Sequence, residues 1–286
     1  MLLAPAPAPA GAALSCSTLL TASYRRLATH VTTRHIEVAP PCSPAGRGWT
    51  SGAELAYQPA LLEAFLAAEA ERIEERYAHA ARPDVVASRA LHTCLWAACL
   101  LISGPWYLDG RVPLLRPEDV RFGHRPGDLA VVPGGFVCLP EDPAAGLPGV
   151  RVVPDQQSLD HELREAVASH VRPLLAAMGP HLRRGPRALW GMVGDDLVSA
   201  VWYAGREMGE EERAVAAASR LLPGPIAPYL GGADVRRLTG RDGRSHPTRT
   251  RMSCCLFYTI RSDQACGTCP RTCDAERLRR LEGDAP

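Results

Sequence analysis

Cys254, Cys255, Cys266, Cys269 and Cys273 put half of the chain's ten cysteines into one short stretch, RMSCCLFYTIRSDQACGTCPRTC. The first four follow the spacing C-C-x10-C-x2-C. A C-x-x-C pair lets two thiolates grip one metal ion, so Cys266 and Cys269 read as a chelating half-site. The adjacent pair is harder to place. Neighbouring side chains in an extended strand diverge, and structural zinc sites generally use roughly two to four intervening residues to bring both sulfurs to one ion. A binuclear centre tolerates adjacency more easily: a tight turn after Cys254-Cys255 can direct both sulfurs to one iron while Cys266 and Cys269 hold the other. Spacing alone leaves three chemistries open: a [2Fe–2S] cluster, a zinc site, and a thiol or disulfide site.

The rest of the chain narrows the setting. At 286 residues and 46% hydrophobic content it can bury a sizeable core, so it does not need cysteine cross-links to stay folded. A formal net charge of +1 removes any global electrostatic argument for nucleic acid or an anionic membrane. The opening MLLAPAPAPAGAALSCSTLL lacks a leading positive charge and is broken by Pro5, Pro7 and Pro9, unlike a secretion signal. The most apolar internal run, Ala90 to Leu108, contains His92 and is interrupted by Gly104-Pro105, so no membrane span is expected. These features point to the cytosol, where crowded cysteines indicate metal or redox work rather than disulfides.

Stepping outward from the cysteines, residues 1–52 are rich in Pro, Ala and Ser and are expected to be disordered or loosely ordered, apart from a patch near LATHVTTRHIEV with strand character. Helical periodicity starts at Pro59 and stops before Arg82-Pro83. A second helix is expected from Asp84 to Ser103, apolar nearly all round and therefore buried. VRF, LAVV and FVCL, between Val120 and Leu139, predict a small antiparallel sheet. Three further helices are predicted over Leu159–Met178 (kinked at Pro173), Pro186–Met208 and Glu210–Leu222, followed by an extended connector, PGPIAPYLGG. From Asp234 onward eleven arginines face seven acids, so positive charge is concentrated where the cysteines are. The fold class expected is α+β: a mainly helical domain over 53–233 with a small sheet, and a short cysteine-bearing module over 234–286.

The motif resembles that of the FhuF-like ferric-siderophore reductases, which carry the same C-C-x10-C-x2-C near the C-terminus with a basic residue before the double cysteine, an aromatic after it and a proline after the last cysteine. Arg251, Tyr258 and Pro270 occupy those places. ALWGMVGDDLVSAVWYAG is similar to a Trp-Gly helix of the family, although Met192 stands where an amide is common. The resemblance spans Glu54 to Thr272. It implies a [2Fe–2S] cluster held by Cys254, Cys255, Cys266 and Cys269, and an enzyme that passes one electron to siderophore-bound Fe³⁺ and releases Fe²⁺. A ferric siderophore, of hydroxamate type, and an electron-donor protein such as a ferredoxin are the implied partners. No G-x-G-x-x-G follows a strand, which is why the donor is expected to be a protein rather than a dinucleotide. The alternatives are a redox- or iron-sensing cluster protein and a zinc-stabilised siderophore-binding domain.

Cations near a cluster favour its reduced form, because reduction adds negative charge. At an effective dielectric of ~20 and ~7 Å, one arginine contributes roughly 2.4 kcal/mol, or on the order of 100 mV. Arg249, Arg251, Arg261 and Arg271 are the candidates, against the plainer reading of arginines on a solvated tail. Several other features have plain readings. HELRE from His161 fails the H-E-x-x-H test at Glu165. Asp195-Asp196 suggests a polar rim, Arg183, Arg184 and Arg187 suggest helix-start surface, and Trp190 suggests a core aromatic. His246 would need a second histidine to build a Rieske site. Cys94, Cys99 and Cys138 fit small core residues, Cys16 and Cys42 have no assigned role, and Cys273 lies outside the four-ligand pattern.

Overall fold

A proline inside a helix removes one backbone donor and leaves the carbonyl four residues earlier without a partner. For Pro105 that carbonyl belongs to Leu101, and the Tyr24 hydroxyl donates to it at 3.1 Å. With this acceptor satisfied, the apolar helix expected to stop at Ser103 continues to Asp109 and ends on Gly110, which takes the left-handed cap at φ 67°. Gly104 permits the contact, since a Cβ there would lie 2.5 Å from a Leu27 methyl. Tyr24→Phe is expected to cost about 1–3 kcal/mol by leaving a buried carbonyl unpaired. A urea midpoint that does not move would show that Leu101 finds another donor.

The computed structural model describes residues 15–40, 46 and 48–283. In chain order the elements are α1 (Cys16–His30), β1 (His35–Val38), β2 (Trp49–Ser51), α2 (Gly52–Tyr57), α3 (Pro59–Tyr77), α4 (Pro83–Asp109), β3 (Val112–Pro113), β4 (Val120–Gly123), β5 (Asp128–Val131), β6 (Phe136–Cys138), β7 (Val150–Val152), α5 (Gln156–Met178), α6 (Pro186–Glu207), α7 (Glu211–Leu221), β8 (Arg236–Thr239), β9 (Ser245–Thr248) and α8 (Asp274–Leu281). The result is an α+β fold dominated by helices.

The N-terminal expectation is corrected for residues 16–30, which form a helix, while β1 falls within the patch expected to have strand character. Ser15 caps α1 by accepting from the Thr18 amide, and Leu20, Tyr24 and Leu27 are fully buried against α4. Composition hid this helix because its apolar residues occupy one face only. The expectations for residues 1–14 and for Cys42 lie outside the described residues.

The single antiparallel sheet becomes two sheets. VRF and LAVV form the β4–β5 hairpin within a four-stranded sheet of order β1-β5-β4-β2, in which β1 runs parallel to β5. FVCL leaves for a second sheet, pairing antiparallel with β3 and parallel with β7. Gly135 allows that departure: a Cβ there would meet the Gly149 carbonyl oxygen at 2.5 Å.

At the centre, α4 packs against α1, α3, α5 and α6, and α7 covers α6. By length and composition α4 could cross a membrane, yet 78% of its most apolar window is buried inside this protein. Cys94, Cys99 and Cys138 are buried core residues, as expected. After α7 the connector turns at Ile226–Tyr229, and the buried Tyr229 donates its hydroxyl to the Arg164 carbonyl at 2.7 Å. The β8–β9 hairpin then leads into the cysteine segment.

Candidate metal centre

Two carboxylates on α6 seat the irregular segment between β9 and the double cysteine. Asp195 is 1% exposed and accepts from Arg249 Nη2 at 2.7 Å, the Met252 amide at 3.0 Å and the Ser253 amide at 2.7 Å. Asp196, fully buried, accepts from Arg251 Nη2 at 2.6 Å, and its other oxygen lies 2.9 Å from His92 Nδ1 on α4. Burial raises the Asp196 carboxyl, but His92 and Arg251 more than offset this and hold it below the ordinary range. The polar rim expected for this pair is therefore corrected: the acids point inward because two buried arginines come from the C-terminal segment to meet them. Arg249 is itself 1% exposed, so the solvated-tail reading fails for it and for the buried Arg251.

The chain is drawn in further by close packing. Ser253 Oγ donates to the Ala188 carbonyl at 2.7 Å, and a Cβ on Gly191 would lie 2.5 Å from that oxygen. This is what the glycine of the Trp-Gly pair does; Trp190 stands half-buried edge-on to Tyr229, its ring centroid 6.0 Å away. Ser88 of α4 donates to the Cys255 carbonyl at 3.2 Å, and Arg184 donates to the Cys254 carbonyl. Arg184 thus belongs to the centre rather than to a bare helix start. Just beyond, Ile260 is buried against Ile73, Val85 and Val86, with Phe257 edge-on to Tyr77 at 5.5 Å.

The cysteine loops are tight. Leu256 adopts φ 63°, a left-handed conformation unusual for a residue with a branched side chain, and its amide donates to Cys254 Sγ at 3.4 Å. That is the sharp turn an adjacent cysteine pair requires. In the second loop the Cys269 amide donates to the Cys266 carbonyl at 2.9 Å, and the two loops are joined by the Arg251 amide donating to the Thr268 carbonyl at 2.9 Å. Arg277 of α8 clamps the second loop from behind. Its buried guanidinium donates to the carbonyls of Gly267 at 2.9 Å and Cys269 at 2.7 Å and to Thr250 and Asp274 at 2.9 Å. Sequence reasoning gave Arg277 no role; it looked like one charge among several on a short polar helix.

Cys255 and Cys269 are buried, Cys254 is partly exposed, and Cys266 and Cys273 are exposed. The first four sense one another electrostatically: Cys254 responds to Cys255 and Cys269, and Cys266 to Cys255 and Cys269. Burial pushes the Cys254 thiol up; at Cys266, exposed as a residue, the thiol group itself still sits among protein atoms, which carries it to about 11 against the opposing charge of Arg251. Metal binding here must therefore release protons from thiols that hold them at neutral pH. Cys273 sits at the N-cap of α8. Among the described residues no group of three or more His, Cys, Asp or Glu side chains is arranged to hold a metal ion, so the four sulfurs lie near one another without converging on a point. His246 is on β9, opposite Leu238.

A cleft of about 460 Å³ opens beside Cys266, Gly267 and Thr268. One side of it comes from two core helices, with His92 and Trp96 of α4 and Ser199, Trp202, Tyr203 and Arg206 of α6. The α6 residues recur at the spacing of one helical face. A second cleft of about 460 Å³ lies between α3, α4 and the β4–β5 turn and reaches Phe257 and Ile260; Arg34 lines both.

The charges near the sulfurs balance more than the sequence suggested. Arg249 and Arg251 are matched by Asp195 and Asp196, and Arg261 pairs with Asp263 at 2.7 Å. Of the four candidates only Arg271 has no carboxylate partner among the described residues; it lies over the Tyr258 ring at 4.3 Å.

Residues 251–271 match the family model FhuF 2Fe-2S C-terminal domain, and no curated protein matches the chain. The cofactor to which this match points is a [2Fe–2S] cluster. The residues present fit such a group: four thiols on two tight loops supply the donor chemistry, and the buried Arg251 Nε–H has no hydrogen-bond partner although its guanidinium senses Cys266 and Cys255.

Proposed function

From the premise that the C-terminal segment is a [2Fe–2S] domain of FhuF type, we propose that the protein is a ferric-siderophore reductase of the cytosol, with Cys254, Cys255, Cys266 and Cys269 as the cluster ligands. The observation that carries this reading is the cleft that opens directly beside Cys266, a place for a ferric chelate next to a metal-binding thiol. When bound, a [2Fe–2S] cluster supplies single electrons. Hydroxamate and catecholate oxygens are hard donors that hold Fe³⁺ far more firmly than Fe²⁺, so gain of one electron by the chelated iron loosens it.

The chain's own residues do the positioning. Asp195 and Asp196 fix the segment before Cys254, and Arg277 fixes the carbonyls around Cys269. Rigid loops keep the thiols in place through a change of charge, which lowers the reorganisation that electron transfer requires. The Trp and Tyr rings of α4 and α6 give the cleft an apolar wall, while Arg251 and Arg277 stand on its module side. No proton-transfer residue is needed. The electron donor is proposed to be a ferredoxin-like protein.

The test has two stages. Anaerobically purified protein should be red-brown and bleach with dithionite; colourless protein containing zinc would overturn the cluster assignment. The dithionite-reduced protein should then be reoxidised rapidly by a ferric siderophore in stopped flow, with Fe²⁺ trapped by a chromogenic chelator. A cluster that cycles with dithionite and air but is not reoxidised by any ferric chelate would mark a sensor rather than a reductase.

A further inference from the structure

Arg34 is the least compensated charge on the cleft beside Cys266. Every other arginine there has an acidic partner: Arg251 with Asp196 at 2.6 Å, Arg277 with Asp274 at 2.9 Å, Arg280 with Glu276 at 2.6 Å, and Arg206 with Glu207 at 3.8 Å. Arg34 forms no ion pair or hydrogen bond through its side chain among the described residues. The one carboxylate on the cleft wall, Glu211, is engaged by Trp202 Nε1 at 2.7 Å.

The fold takes trouble to place this guanidinium. The Thr33 hydroxyl is hydrogen-bonded to the Tyr203 hydroxyl at 2.6 Å, which pins the turn before β1 to α6. Gly127, at φ 93°, passes beneath the side chain: a Cβ there would lie 3.6 Å from Arg34 Nη1. Arg89 of α4, which also lacks a carboxylate partner among the described residues, stands over the Phe257 ring at 5.1 Å in the adjoining cleft region. Burial lowers the Arg34 pKa, Tyr203 opposes this, and the Arg89 charge lowers it further. Glu69, Glu75 and Asp128 also line that adjoining cleft, but neither Arg34 nor Arg89 is ion-paired to a carboxylate among the described residues, so the two like charges are eased when an anion arrives. Around them are flat rings, with Trp96 edge-on to Tyr203 at 5.5 Å and Trp202 on the same helix face.

We infer that this cleft selects a net-anionic ferric chelate with aromatic donor groups, a tris-catecholate, and that Arg34 is the residue that recognises its charge. The inference rests on the reductase reading and departs from the hydroxamate expectation. Catechol rings offer faces to the tryptophan and tyrosine wall, and their oxygens carry the excess negative charge that a guanidinium reads. A volume of about 460 Å³ lies within the range of small-molecule sites.

Gallium(III) complexes separate binding from electron transfer, because gallium is not reduced. Binding to the cluster-loaded protein is followed by tryptophan fluorescence for two probes: a trianionic gallium tris-catecholate and a monocationic gallium trihydroxamate bearing a free amine. The tris-catecholate should bind more tightly, and its affinity should fall with added salt. Arg34→Gln should weaken it about tenfold or more while leaving the trihydroxamate within about twofold, and Arg34→Lys should retain most of the binding. Equal binding of the two probes, stronger binding of the trihydroxamate, no binding of the tris-catecholate, or an Arg34→Gln protein that loses nothing would overturn the inference. Failure of the reductase reading looks different: gallium tris-catecholate binds as expected, yet neither ferric complex reoxidises the reduced protein. Circular dichroism and iron content of the Arg34→Gln and Arg34→Lys proteins check that the fold and cluster are intact.

Discussion

Asp195→Asn should destabilise the protein by about 3–5 kcal/mol and lower its iron content, although residue 195 touches no cysteine. The carboxylate accepts from Arg249, Met252 and Ser253, and both it and Arg249 are sealed from solvent. Removing one partner of a buried pair leaves the other charge uncompensated, and this term dominates the cost. Against a typical total stability of about 5–15 kcal/mol, the loss is large. It falls on the segment that delivers Cys254 and Cys255, so iron per chain should drop along with the urea midpoint. Replacing Asp195 and Arg249 together by methionine should recover much of the stability, since an apolar pair has no stranded charge. If Asp195→Asn matches the parent protein in both urea midpoint and iron content, the ion pair does not hold the segment in place.

The second large effect separates the four proposed ligands from their neighbour. Cys255→Ala and Cys269→Ala should each abolish visible absorption and cut iron and acid-labile sulfide at least about tenfold, since even residues behind a metal's ligands typically cost 10–100-fold in affinity when removed. Cys273→Ser should keep colour, iron and sulfide near parental values. Cys273 is exposed at the start of α8, outside the two loops that carry the other four thiols. Loss of the cluster in Cys273→Ser, with retention in Cys269→Ala, would reassign the fourth ligand.

The cysteine motif was legible because metal chemistry constrains spacing along the chain. The long helices were legible for a related reason: period and capping residues are local, and both ends of α6 and α7 and the start of α3 fall within a residue of expectation, whereas α3 stops at Tyr77, short of Arg82. What could not be read is what depends on distant partners. Asp195 and Asp196 resemble a polar edge until arginines some 55 residues later are folded against them. Pro105 looks like a terminator until Tyr24 supplies the missing donor. Arg277 has no motif around it, and its partners are backbone carbonyls that carry no identity in the sequence. Gly191 was visible as part of a Trp-Gly pair, but its reason, the approach of Ser253, needed the fold.

The pairing of α6 with the C-terminal arginines also bears on synthesis. When α4 and α6 have left the ribosome, Asp195, Asp196 and His92 have been made, but the arginines that answer them have not. The nascent core must wait with its acids hydrated or protonated until residues 249–253 emerge, and the latch at Arg277 follows later still. Metal loading thus comes only after residues 249–277 have been made, with the helical body settling as that stretch docks.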